Sequence, residues 1–216
     1  VKNTFNKKNY VSLPYYMVIS DNKDATFSPR IYNDEQFLIQ TEYRSVDYKS
    51  NQISDFSFKV DNYNKIKSHF FFKYNKSFDL DKYNNNDFDL NIQKTSKDTY
   101  LKRNKIESKL LTDKNVLENS IKLNFSDKDT LINFETISYE DLNKDENDRY
   151  EHILPKINIS KKIDNMLPFS GNLSLNTSVI NKNYDTNVLE TVNTNDLKFK
   201  SFSKISNKGF YSNFDF

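Results

Sequence analysis

From Leu13 to Arg44 the chain alternates between apolar and polar residues and doubles back twice, and this pattern limits the possible folds more than any other feature. Tyr15–Ser20, Ala25–Tyr32 and Phe37–Arg44 read as three short β-strands. The links around Asp21–Asp24 and Asn33–Gln36 are rich in Asn and Asp, whose side chains close turns and which tolerate left-handed backbone. In the third strand Phe37, Ile39, Thr41 and Tyr43 point one way, and Gln40, Glu42 and Arg44 the other. Pro14 heads the first strand and Pro29 lies inside the second. Proline cannot donate to a ladder, so it belongs at edges, at strand starts or where pairing is meant to be weak.

The same alternation returns along the chain. Ile53–Val60 sets Phe56, Phe58 and Val60 against Asp55, Ser57 and Lys59. Ile66–Tyr74 sets Ile66, Phe70, Phe72 and Tyr74 against Lys67, His69 and Lys73, and Asp87–Gln93 sets Phe88, Leu90 and Ile92 against Asp87, Asp89 and Asn91. Thr95–Asn115 reads as a loop and a strand, with a helix bearing Ile106, Leu110 and Leu117 as the alternative. Strands resume at Val116–Phe125, Leu131–Tyr139, Glu151–Ser160 (Ile153, Pro155, Ile157 and Ile159 on one face) and Asn172–Ile180. Val188–Val192, Leu197–Phe202 and Phe210–Phe216 complete a set of about a dozen hairpin-linked strands, with no helical domain and no visible composition boundary. Their length suits strands that cross a bilayer at a tilt.

Composition supports a two-faced sheet. Aromatic residues reach 15% of the 216, all Phe or Tyr, which argues against disorder. Mean hydropathy is nevertheless well below zero. Glycine is scarce at 2 residues, unlike a soluble α/β enzyme. A membrane barrel reconciles these facts, because half of every strand and all of every loop is polar. The formal charge of +2 gives no nucleic-acid signal. Cysteine is absent, which excludes disulfides, thiolate metal sites and thiol catalysis. No apolar run is long enough for a membrane helix, and Val1–Tyr10 is no signal peptide, so an exported protein would carry its signal upstream.

The sequence offers little catalytic chemistry. His69 and His152 lie outside any HExxH pattern and read as polar lumen or loop residues. Asp141, Asn143 and Asp145 begin like a calcium loop, but Glu146 stands where its glycine belongs and His152 where its last glutamate belongs. No paired Ser/His arrangement, nucleophile elbow or phosphate-binding loop is visible. The reading is therefore not an enzyme, with no metal and no cofactor. The alternating charges read as the lining of an aqueous interior, with Gln40, Glu42, Arg44, Asp55, Lys59, Asp87 and Asp89 as lumen-facing candidates.

The run PYYMVISDNKDATFSPRIY (Pro14–Tyr32), followed by a strand ending TEYR at Arg44, resembles the first barrel strands of the LPS-assembly outer-membrane protein family, LptD or OstA. RYEHILPKINIS, Arg149–Ser160, is similar to that family's mid-barrel strand. The resemblance implies an all-β, antiparallel, up-and-down transmembrane β-barrel of which residues 13–216 form part, with residues 1–12 leading in from a periplasmic domain. It implies lipopolysaccharide transport to the outer leaflet of the cell outer membrane, an LptE-like plug lipoprotein, and delivery by an LptA-like periplasmic bridge. It also implies that Pro14 and Pro29 belong to a lateral gate, where missing ladder bonds ease the parting of a seam. Phe216 reads as a truncation point rather than a barrel's closing residue. The alternatives are a porin-like outer-membrane channel and a soluble β-rich binding or adhesion module.

Overall fold

The computed structural model of the protein describes residues 10–33, 36–60, 65–145, 148–164, 167, 170–184 and 188–216. The lead-in expected over residues 1–12 lies outside these up to residue 9. The elements are β1 (Tyr10–Ser12), β2 (Tyr15–Ser20), β3 (Lys23–Tyr32), β4 (Phe37–Asp47), β5 (Ser50–Val60), β6 (Ile66–Ser77) and β7 (Asn85–Thr95). After them come α1 (Tyr100–Arg103), β8 (Val116–Ser126), β9 (Thr130–Asp141), β10 (Tyr150–Ile163), β11 (Gly171–Tyr184), β12 (Val188–Ser201), β13 (Lys204–Ile205) and β14 (Tyr211–Ser212).

The fold is all-β. One large antiparallel sheet runs in the order β1-β3-β4-β5-β6-β7-β8-β9-β10-β11-β12, with β2 also on β3, and β13 and β14 form a separate small hairpin. Each strand after β3 follows its predecessor in sequence, which is a meander. Among the described residues the sheet is open and does not close into a barrel: the first strands and β12 stand at opposite ends of the order.

The chain forms two compact units. The first takes the described residues of Val1–Lys76, Asp89–Asn119 and Tyr139–Arg149; the second takes Ser77–Phe88, Ser120–Ser138 and Tyr150–Phe216. Three boundaries fall inside β7, β8 and β9, one at the end of β6 and one at the start of β10.

In the first unit, pairing lines up the alternation of five consecutive strand segments. Val11, Ile31, Phe37, Val60 and Ile66 form one row across the sheet. Tyr15, Phe27, Thr41, Phe56 and Phe70 form another, and Met17, Ala25, Tyr43, Ser54 and Phe72 the next. Pro29, Ile39, Phe58 and Ser68 lie between them. None of these residues is charged. Among the described residues of these strands, ionic groups return on this face past Tyr43, at Lys23, Asp47 and Lys76. The uncharged band spans Phe37–Tyr43 of β4, about 20 Å at ~3.3 Å per residue. Much of it is exposed, including Ile31, Phe37, Phe56, Phe58, Ile66 and Phe70. The rings of Phe70, Phe72 and Tyr74 stack in a file along β6.

The opposite face is covered. Residues 96–115 are not the expected loop and strand. They form the single helical turn α1 followed by non-repetitive chain that lies over this face. Leu101 and Ile106 are fully buried beside Leu38, Phe71 and Leu117, with Leu110 and Leu111 packed against the cluster. Ile106, Leu110 and Leu117 have the spacing of a helix face, but only Tyr100–Arg103 is helical and none of the three lies in it. Lys105, at φ 49°, reverses the chain. Ile106 N–H then donates to Leu101 at 2.9 Å and Lys105 N–H to Lys102 at 3.2 Å, the two bonds of a Schellman cap, with Ile106 against Leu101 as its apolar contact. Fully burying each such side chain contributes about 1.5–3 kcal/mol.

In the second unit β10, β11 and β12 are each fourteen residues long. The two strands read at Val188–Val192 and Leu197–Phe202 are one, since β11 offers a ladder partner to every residue between them. The register of β10 on β11 shifts between Ile153 and Lys156. Ile153 therefore lies opposite Lys182 and Ile157 opposite Val179, on different faces, which corrects the shared face read from sequence. Phe210–Phe216 is not one strand either. Its last residues return to β12, where Phe216 and Phe199 exchange backbone hydrogen bonds of 2.8 and 3.1 Å.

Candidate functional site

Two features of the first unit stand close together in the ladder: an interruption in the first strand and a buried polar network beside it. Ser12 pairs with Arg30 and Tyr15 with Phe27, so β1 and β2 follow one register on the same side of β3. Continuing that register sets Leu13 opposite Pro29 and Pro14 opposite Ser28. The two segments are one strand interrupted where both prolines fall. On the other side of β3 the ladder to β4 passes unbroken through Pro29 and Ile39. A proline inside a sheet is tolerated where its missing N–H faces no partner, and here the gap lies toward the first strand. The two gate candidates are thus brought together.

The polar candidates share the covered face. Gln40 Nε2 donates to both oxygens of Asp55 at 3.0 and 3.2 Å and to the carbonyl of Glu107 at 2.9 Å. Lys59 donates to Asn104 Oδ1 at 3.0 Å and stands 4.1 Å over the Tyr32 ring. These three residues are not open to a cavity as the sequence implied; they are buried beneath residues 96–115. Glu42 and Arg44 remain partly exposed. Arg44 donates to Asp24 at 2.7 Å, and Glu42 receives Lys109 of the covering segment at 3.2 Å. Asp89 accepts from Asn75, which ties β7 to β6. Asp87, in the second unit, accepts from Ser77 Oγ at 2.7 Å.

The network extends to residues that the sequence did not single out. Arg30 donates to the carbonyls of Asn104 at 2.7 Å and Lys105 at 3.3 Å, and to Gln40 Oε1 at 3.0 Å. It thereby satisfies carbonyls that the end of α1 leaves free. Asn104 Nδ2 donates back to the carbonyl of Tyr100 at 2.9 Å. The covering segment is also fixed at its margins. Gln93 Nε2 donates to Leu110 at 2.7 Å, Asn115 accepts from Leu142 N–H at 2.7 Å, and Arg149 donates to Asp98 at 2.7 Å and to Glu140 at 2.8 Å. Arg149 holds the Asp98 carboxyl below its ordinary range, and its own guanidinium is raised by Asp98.

Pairing of β5 with β6 also sets Ser57 directly opposite His69, which the sequence reading had passed over in finding no Ser/His pair. Ser57 Oγ lies 2.6 Å from His69 Nδ1, His69 Nε2 lies 3.2 Å from Asp55 Oδ1, and Tyr100 OH lies 2.7 Å from Ser57 Oγ. With His69 neutral, one direction satisfies every group. Tyr100 donates to Ser57, Ser57 donates to Nδ1, and Nε2–H donates to Asp55. The residue types are those of a hydrolytic triad, but Ser57 is 1% exposed and sealed under Tyr100, itself 1% exposed. As it stands, the array is a hydrogen-bond chain that fastens residues 96–115 to the sheet, not an accessible nucleophile. Burial pushes the Tyr100 hydroxyl up to about 12, partly offset by its bond with Ser57.

Face alternation in β5 and β6 was enough to place Asp55, Ser57 and His69 together once the hairpin register was known. Arg30, Tyr100 and Asn104 carried no such signal, because the contacts that join the sheet to the covering segment span 43 to 75 residues. The calcium-like loop uses Asp141 to accept the Asn143 N–H at 2.9 Å within its own turn, while Glu146 lies outside the described residues. Among the described residues no helix is long and apolar enough to cross a membrane, which leaves crossing by strands untouched. Compared with known proteins, the chain matches no family model and no curated protein sequence.

Proposed function

We propose that this chain contributes barrel strands to an outer-membrane protein of LPS assembly, which passes lipopolysaccharide to the outer leaflet through a lateral gate. The observation that carries the membrane part is the uncharged face of β1–β6. It holds an exposed aromatic and aliphatic band about 20 Å tall along the strands. A water-soluble sheet seldom leaves so broad an apolar face open, whereas a barrel wall presents such a band to lipid. The meander order, with the longest strands at fourteen residues, fits the same architecture. The gate rests on the interruption at Leu13–Pro14 opposite Ser28–Pro29, the place where parting the first strand from β3 costs fewest ladder bonds. In this reading residues 96–115, with Gln40, Asp55 and Lys59 buried beneath them, lie on the lumen side of the sheet, an LptE-like plug and an LptA-like bridge are the partners, and the outer membrane is the location.

Photo-crosslinking residues placed at Leu13 and Ser28 of the full-length protein in cells test the gate. Lipopolysaccharide adducts that vanish when its synthesis is blocked are expected. Absence of adducts at both positions removes the gate. Recovery of the protein in the soluble fraction, with a label at Phe70 reporting water rather than lipid, removes the membrane reading altogether.

A further inference from the structure

The polar network does more than hold residues 96–115 to the sheet, because it converges on one residue and reaches the interrupted strand. Asn104 is 6% exposed. Its carbonyl receives Arg30 and its side-chain oxygen receives Lys59. Each of those cations then faces an aromatic ring: Arg30 stands 5.2 Å from the ring of Tyr10, and Lys59 stands 4.1 Å from that of Tyr32. The two rings are themselves 5.4 Å apart. Tyr10 belongs to β1, which has only three residues in the ladder and is separated from β2 by the Pro14 break. Backbone pairing this short holds a strand weakly, so the ring contacts of Tyr10 carry much of its attachment.

We propose that residues Tyr100–Glu107 form a latch on the first strand, with Asn104 as its catch: while Asn104 positions Arg30 and Lys59, the Tyr10–Tyr32 pair is held and β1 stays on β3. When the segment lifts, Arg30 loses the carbonyls of Asn104 and Lys105 and Lys59 loses the Asn104 side chain, and β1 parts more readily at the break. The inference deepens the gate reading and assigns its control to this chain's own covering segment. It concerns local opening alone, so it is tested apart from lipopolysaccharide and from the membrane.

Hydrogen exchange on the full-length protein and on Asn104→Ala provides the test. The substitution removes the acceptor of Lys59 and the tie to Tyr100 while leaving every strand residue in place. Exchange at Val11 and Ile31 is expected to accelerate about five- to tenfold, the worth of about one net hydrogen bond. Exchange at Thr41 and Phe56, in the middle of the β4–β5 ladder, is expected to stay within about twofold. Unchanged rates in β1, with faster exchange over 100–107, overturn the latch. So does uniform acceleration across all strands, which reports loss of the fold rather than release of a strand. Should Asn104→Ala fail to fold, Tyr10→Leu keeps the question open to measurement. It removes the ring that faces Arg30 and must loosen β1 without loosening 100–107; equal loosening of both overturns the proposal.

Discussion

The polar face of β3–β6 and the strands β10–β12 are built from the same kinds of residue, yet they differ in what those residues do. In β10–β12, Ser, Thr and Asn side chains directly opposite one another bond across the sheet. Examples are Ser160 with Asn176 at 2.7 Å, Ser178 with Asn158 at 2.7 Å and Thr177 with Asn195 at 3.0 Å. The Thr177–Asn195 bond is exposed, as is nearly all of β12, and the two bonds between β10 and β11 are only partly buried, so water can reach them. On β3–β6 the side chains of Gln40, Asp55, Ser57 and His69 are closed under residues 96–115, and water cannot replace a lost partner. A net hydrogen bond contributes only about 1 kcal/mol where solvent can substitute, but removing one partner of a buried group costs its full desolvation. The segment that covers the sheet, rather than the strand pattern beneath it, decides which polar residues matter.

The largest test of that contrast is Asp55→Ala. It strips one acceptor from both Gln40 and His69 in a site where neither can turn to water. The expected loss is about 3 kcal/mol or more, read as a lower denaturant midpoint by circular dichroism. The matched change in the other unit, Thr177→Val, is expected to move stability by about 0.5 kcal/mol or less. Comparable losses from the two would show that covering confers nothing.

Ionisation gives a second, smaller probe of the same covering. Burial raises the Tyr100 hydroxyl to about 12 from an ordinary 10.0. The folded state therefore holds this proton more tightly than the unfolded chain does. Its contribution is complete below about pH 10, where both states are protonated, and is lost as pH rises from there toward 12. The expected decline is about 3 kcal/mol. Tyr100→Phe removes that part of the alkaline limb, and an identical limb in both proteins would mean that the hydroxyl is open to water.

These tests also mark how far the sequence could be read. Alternation placed the strands and assigned Phe37, Ile39, Thr41 and Tyr43 to one face and Gln40, Glu42 and Arg44 to the other, as the register has them. That information is local, with a period of two residues. The turns of residues 96–115 are set by contacts with strands far off in the chain. The helical spacing of Ile106, Leu110 and Leu117 marked them as apolar, yet the cluster that takes them in with Leu101 is set by those distant contacts and not by a helix. The bulge at Ile153–Lys156 was hidden for a related reason. A one-residue shift against β11 leaves the letters of β10 unchanged while exchanging which isoleucine faces which side. The two prolines were conspicuous as letters, but only the register puts them across one interruption.

The second unit is not wholly indifferent to substitution, and the end of β12 shows where its sensitivity lies. Phe199 is fully buried there, against the rings of Phe214 and Phe216, which lie 5.5 and 5.4 Å away. Room for the ring comes from Gly171 on the neighbouring strand: a Cβ at that position would lie 2.5 Å from both the Phe199 ring and the carbonyl of Lys200. The ring can swing aside, but the carbonyl belongs to the ladder and can move only with β12. Gly171→Ala is therefore expected to cost about 1–2 kcal/mol by overpacking. Because the displaced ring is the one that seats the tail, proteolysis within 203–216 should quicken, while cleavage within 96–115 should not. A tail that stays protected would place the strain in the strand pairing, and would show that even here the exposed unit relies on its ladder rather than on side-chain packing.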